Sequence, residues 1–194
     1  MVKNFLDPPA LKMLYYSLFH SHLVYANNIW SCSDSGTINS LFKMQKNAIR
    51  LISHAKYNAH TEPLFKANQI LPLPDLINFF KLQTMQRYSI NQIPSSLQGM
   101  WQRLNERNIG LNELQLRNNN SNKFIIPFSR LSLTERLPKA SLPRQWESFP
   151  DQNIKNTTNP LQFDKNLKKY FLDDLSEVVQ CNRLFCPACS GPGN

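Results

Sequence analysis

The stretch Thr37-Ile-Asn-Ser-Leu-Phe-Lys-Met-Gln-Lys-Asn-Ala-Ile-Arg-Leu-Ile-Ser53 decides the fold class. Ile38, Leu41, Phe42, Gln45, Ala48, Ile49 and Ile52 recur three and four residues apart. On a helix they line one face, which predicts an amphipathic helix with that face buried. Lys43, Lys46 and Arg50 follow i, i+3, i+7 spacing and gather on another face, roughly 150° away at about 100° per residue. Any solvated helix face can carry such a stripe, so by itself it identifies no partner.

Reading outward from this helix gives more of the same period. Upstream, Pro8 and Pro9 suit a first helical turn, where a missing N–H costs nothing. Leu11, Leu14, Tyr15, Leu18, Phe19 and His22 follow at helical spacing and carry the pattern on toward Tyr25 and Trp30, with a turn over Ser31 to Gly36. Downstream, a helix is predicted from Pro74 to about Ile90, with Leu76, Phe79, Phe80, Leu82, Gln83 and Arg87 along it. Asp75 lies in its first turn, where the helix dipole favours a carboxylate. Short helical pieces are predicted at Glu62–Ala67 and Leu97–Asn105. Asn118–Asn122 reads as a polar loop. Lys123–Phe128 reads as a short strand that Pro127 confines to an edge. Residues 128–160 are punctuated by Pro and Ser, with Trp146 as their only large anchor. A last helix, Leu161 to about Val179, offers Phe163, Leu167, Tyr170, Phe171, Leu175 and Val178 as its apolar stripe. The expected fold is therefore mainly α: a helical bundle over 1–92, an irregular Pro-rich connector with short strands over 93–160, and a C-terminal helix with a Cys-rich tail over 161–194.

The 194 residues are 41% hydrophobic and 18% charged, enough to bury the core of one large domain or two small ones. Five Gly are few for nucleotide-cradling loops, and neither G-x-G-x-x-G nor G-x-x-x-x-G-K-[ST] occurs. The net charge of +9 favours a polyanionic partner, nucleic acid before membrane surface. That charge is +4 over residues 1–60, +2 over 61–122, +3 over 123–150 and zero over 151–194. No apolar run approaches the ~20 residues of a membrane span. The N-terminal apolar stretch is too short for a signal peptide. Four Cys, with Cys181, Cys186 and Cys189 close together, fit an intracellular chain better than a disulfide framework. Cys186-x2-Cys189 is a common zinc half-site, and Cys181 would add a third ligand. The fourth would come from Cys32, from His20, His22, His54 or His60, or from a partner; the alternative is a free-thiol tail. No other cofactor is called for, and no Ser/His/Asp or Cys/His arrangement is legible.

Several stretches together resemble one family. Leu11-Lys-Met-Leu-Tyr-Tyr-Ser-Leu-Phe-His-Ser-His-Leu-Val-Tyr25, followed by Ile29-Trp30, is similar to the segment downstream of the polymerase palm in non-LTR (LINE-type) retrotransposon reverse transcriptases. That segment ends on Tyr-Gly-x-x-x-Trp, and Ala26 stands at the Gly position. Leu41-Phe-Lys-Met-Gln-Lys-Asn-Ala-Ile-Arg-Leu-Ile52 resembles the family's L-x-x-x-Q-K-R-A-I-R-I-I helix, with Asn47 replacing a basic residue. His60-Thr-Glu-Pro-Leu-Phe65 with Ile70-Leu-Pro-Leu73 is similar to its H-T-x-P-L-F … I-L-x-L link. Leu142-Pro-Arg-Gln-Trp-Glu-Ser-Phe-Pro150 resembles G-P-x-x-W-N-S-L-P, with Glu147 in place of Asn. Phe163-Asp-Lys-Asn-Leu-Lys-Lys-Tyr170 resembles the family's terminal helix. The match extends from about Leu6 to Tyr170, and the order and spacing of the motifs carry its specificity.

The resemblance implies a thumb-like helical region and the region downstream of it, without the catalytic palm. It implies a nonenzymatic fragment that grips an RNA or DNA duplex by charge and geometry, with Lys43, Lys46 and Arg50 as the phosphate contacts and the palm as a further partner. The one string that could imitate the polymerase centre is Tyr170-Phe-Leu-Asp-Asp174. Such an aromatic-x-Asp-Asp turn holds two metal ions only where it joins two strands. Here the flanking residues are helical, and adjacent Asp173 and Asp174 on a helix point roughly 100° apart. They read as solvated surface, so no catalytic residue is assigned. The competing expectation is a protein-interaction module, zinc-stapled at its C-terminus.

Overall fold

The computed structural model describes residues 6–103, 123–128 and 130–175. These are mainly helical, as expected. Among the described residues the β structure is one isolated antiparallel bridge, Arg103 with Phe124. The chain divides into two compact units, whose boundaries fall inside two helices: one comprises residues up to 77 and from 166, the other 78–165.

In the first unit, helix α1 (Pro8–Leu14) opens as its sequence requires, with both prolines in the first turn and the Asp7 carboxylate accepting from the Ala10 N–H. The expected run toward Trp30 is interrupted. Tyr15–His20 is a π-helical segment, and α2 (Ser21–Val24) ends at Tyr25, whose backbone is extended. Ala26 then takes φ 50°, ψ 32°, in the left-handed region, and α3 (Asn27–Trp30) restarts. Two side chains stabilise the break by occupying carbonyls freed at the helix end. Asn27 Nδ2 donates to the Leu23 carbonyl at 2.9 Å, and Trp30 Nε1 to that of Tyr25 at 3.0 Å. Apolar period alone does not reveal such a break, because the spacing stays helical on both sides of it.

Helix α4 (Ser35–Ile52) starts two residues before the predicted Thr37. Asp34 sets that start, its carboxylate accepting from both the backbone N–H and the hydroxyl of Thr37. Helix α5 (Glu62–Asn68) and helix α6 (Leu73–Ser89) follow. The core joins Leu11, Tyr15, Ile49, Ile52, Phe65 and Ile70, with Phe42 stacked on Phe65.

The second unit holds the end of α6, a 3-10 turn (Ser95–Leu97), helices α7 (Ser132–Arg136), α8 (Pro138–Ser148) and α9 (Gln152–Lys155), and the start of α10 (Pro160–Asp173). Met85, Trp101, Phe124 and Leu142 form its core, with Tyr88 and Trp146 against them. The Tyr88 ring meets Trp101 and Phe124 edge-on, and its hydroxyl donates to the Trp101 carbonyl.

Four expectations for this unit are corrected. Residues 128–160 are not simply irregular, since three helices lie there. Pro143 sits inside α8, where it removes one helical N–H bond, yet its ring is fully buried. Core packing thus outweighs a local helix breaker. Among the described residues Lys123–Phe128 pairs only through the Phe124 bridge, and of Leu97–Asn105 only Leu97, closing the 3-10 turn, is helical where described. Trp146 is not the only large anchor of residues 128–160: Phe149 is buried, at 5% exposure. The Asn118–Asn122 loop and residues 176–179 of the last predicted helix lie outside the described residues.

Candidate nucleic-acid interface

Helix α4 carries the three cations that the sequence singles out, and the structure gives each a different role. Lys43 is exposed. Lys46 lies with its Nζ 4.2 Å above the Phe42 ring, one turn back on the same helix. Arg50 donates from Nε to the Ala59 carbonyl at 2.9 Å and from one Nη to Asn47 Oδ1 at 3.1 Å. Its guanidinium therefore clamps the segment between α4 and α5 before it can reach any ligand. Sequence reading could not separate the three, because a carbonyl partner nine residues away leaves no pattern.

The residue that places this helix is Gln45, which is fully buried. Its Nε2 donates to the Tyr15 hydroxyl and to the Leu71 carbonyl, both at 3.0 Å, and its Oε1 accepts from the Leu73 N–H at 2.7 Å. One amide thus joins the π segment, α4 and the entry to α6, with its buried polar atoms paired. Burial pushes the Tyr15 phenol up to about 12, against the opposing pull of its bond to Gln45. The π segment brings residues five apart together, and the rings of Tyr15 and His20 lie 5.8 Å from each other. Burial, reinforced by Lys168, lowers the basicity of His20.

Asp75 does sit in the first turn of α6, where the dipole favours its charge. Burial nevertheless dominates, and with Asp174 nearby it raises the carboxyl to about 6. Asp173 ends α10 and Asp174 lies just beyond it, both exposed. The zinc candidates Cys181, Cys186 and Cys189 lie outside the described residues. Among the described residues no group of three His, Cys, Asp or Glu could hold a metal ion. Cys32 is buried, with its Sγ against the Asn28 carbonyl at 3.4 Å. No described helix is long and apolar enough to cross a membrane.

A second group of cations escaped the sequence reading because its members are far apart in the chain. Arg103 stacks over the Phe124 ring at 5.2 Å, beside Lys123, and Lys155 sits over Trp146 at 5.8 Å. Glu147, next to Trp146, accepts from the Phe124 N–H at 2.9 Å and so ties these positions together.

Comparison with known proteins finds no match to a family model, to a curated protein or to a solved structure.

Proposed function

We propose that this chain is the thumb and downstream region of a non-LTR retrotransposon reverse transcriptase, acting inside the cell. On this reading it is a helical module that holds a nucleic-acid duplex through its phosphates and performs no polymerase chemistry itself.

The observation that carries the reading is the backbone at Ala26. The family motif has Gly there, and here the position adopts φ 50°, a conformation that favours Gly. A motif that carries Gly where this chain takes a left-handed turn supports the reading of a shared backbone. The motif positions Tyr15, Gln45, Ile49, Ile52, Phe65, Ile70, Leu71 and Leu73 are all buried, which supports the same reading.

Titration of the chain with a duplex of arbitrary sequence at several salt concentrations tests it. Weak, sequence-independent binding is expected. Lys43→Gln with Lys46→Gln should flatten the log–log salt slope by roughly 0.9 per lost phosphate contact on B-form DNA. Arg50 is left intact in this test because of its clamp on Ala59. Absence of duplex binding, or primer extension by the chain alone, would refute the reading.

A second reading rests on a different observation. Met13, Leu18, Tyr25 and Ile29 are 73%, 66%, 81% and 72% exposed on α1 to α3. Such exposed apolar residues favour a protein-interaction module, for which the palm of the parent polymerase is one partner. Salt-insensitive capture of a protein, without duplex binding, would favour it.

A further inference from the structure

We propose that Lys123 and Lys155, with Arg103 beside them, form a second phosphate-contact surface, located in the unit 78–165 and built for the backbone of a nucleic acid. It rests on the nucleic-acid reading above but uses none of the α4 residues.

The fold converges these cations from three places in the chain. The stacking of Arg103 on Phe124 and of Lys155 on Trp146, with the Glu147 bond to the Phe124 N–H, holds them around one pair of rings. Among the described residues, the acids of the same unit each have a partner, and Glu147 also attracts Lys155. Glu147 is engaged by the Phe124 backbone, and Asp151 caps α9 through the N–H groups of Asn153 and Ile154. Asp164 accepts from Gln83 and faces Arg87 at 3.8 Å, while Glu135 faces Arg144 at 3.8 Å. Four acids in all stand against ten Lys and Arg over the described residues 78–165.

Lys155 is also held at a cost. Burial disfavours the ammonium of Lys155 most, Glu147 favours it, and Lys123 opposes it less than Glu147 supports it. A phosphate brought to this surface favours the charged form of Lys155 against its burial. Packing does not require the arrangement, since Lys123 is exposed.

The rings indicate which polyanion. Phe124 is buried, and Trp146 stacks on Phe163 with centroids 6.3 Å apart, so neither is turned outward as a membrane anchor would be. These two rings therefore offer neither an apolar insert nor a stacking platform, which suits phosphate contact and no base reading, and the exposed Phe128 on the same segment is what the vesicle comparison below tests.

The test uses the full chain and a DNA duplex of about 20 base pairs, titrated by fluorescence anisotropy across a salt series. Lys123→Gln with Lys155→Gln should flatten the salt slope by about 1.8, and Lys123→Gln alone by about 0.9. Lys123→Arg with Lys155→Arg, which keeps both charges, should restore the wild-type slope, separating charge from packing. An unchanged slope in the double Gln variant overturns the surface. If Lys43→Gln with Lys46→Gln still flattens the slope in that case, the duplex-binding reading stands without it. If the wild-type chain binds no duplex, that reading falls, and this surface with it. Binding to phosphatidylserine vesicles but not to duplex, lost in the double Gln variant, would identify a membrane contact and likewise overturn the proposal.

Discussion

Ala26→Gly should stabilise the first unit, although it removes a methyl group and adds a flexible residue. Ala26 has φ 50° and ψ 32° between α2 and α3. For an L-residue with a Cβ this conformation costs about 1–2 kcal/mol, which Gly avoids. The opposing cost is the greater freedom of Gly in the unfolded chain, about 0.4–1 kcal/mol. Little packing is lost, because Ala26 is exposed. The Ile29 and Trp30 N–H groups donate to the Ala26 carbonyl, and those bonds survive the substitution. The balance is a gain of about 0.5–1 kcal/mol. Urea unfolding followed by circular dichroism would read it as a higher midpoint at unchanged slope. A lower midpoint would refute the reasoning, showing either that the turn is not left-handed in solution or that the methyl packs. Ala26→Val is the mirror test and should destabilise, since a β-branched residue tolerates this conformation least.

Gln45→Ala should cost at least about 3 kcal/mol, because it leaves the Leu73 N–H, the Leu71 carbonyl and the Tyr15 hydroxyl without their buried partner, each worth about 1–3 kcal/mol; equilibrium unfolding measures it, and a loss below 1 kcal/mol would show the network to be dispensable. Asp75→Asn should stabilise by about 1–2 kcal/mol at pH 7–8, the shift being discounted for partial solvent exposure, and by nothing near pH 3.5. The carboxyl is raised from 3.8 to about 6, so its stabilising neutral form is present below pH 3.8 and lost as the pH rises through 6; paired melts of variant and wild type across that range check the sign. Trp30→Phe should lose about 1 kcal/mol, the indole N–H bond to the Tyr25 carbonyl, and unchanged thermal stability would place Trp30 at an interface and not in the packing.

The helical class, the extent of α4 and the start of α1 were legible in the sequence. Apolar residues three and four apart and the paired prolines act within a few residues of where they stand. Gln45 was legible as a position on the buried face, but its role was not, since its partners at Tyr15, Leu71 and Leu73 are 26 to 30 residues away. The same limit hid the helix around Pro143, where burial of the ring overrides a local prohibition, and the engagement of Arg50 by the Ala59 carbonyl. The convergence of Arg103, Lys123 and Lys155 shows the limit most clearly: each reads as an isolated surface charge, and only the packing of Phe124 and Trp146 brings the three together. Local periodicity determined which segments coil. Contacts between residues far apart in the chain decided which polar groups are held inside and which charges meet, because burial and Coulomb attraction depend on distance in space and not along the chain.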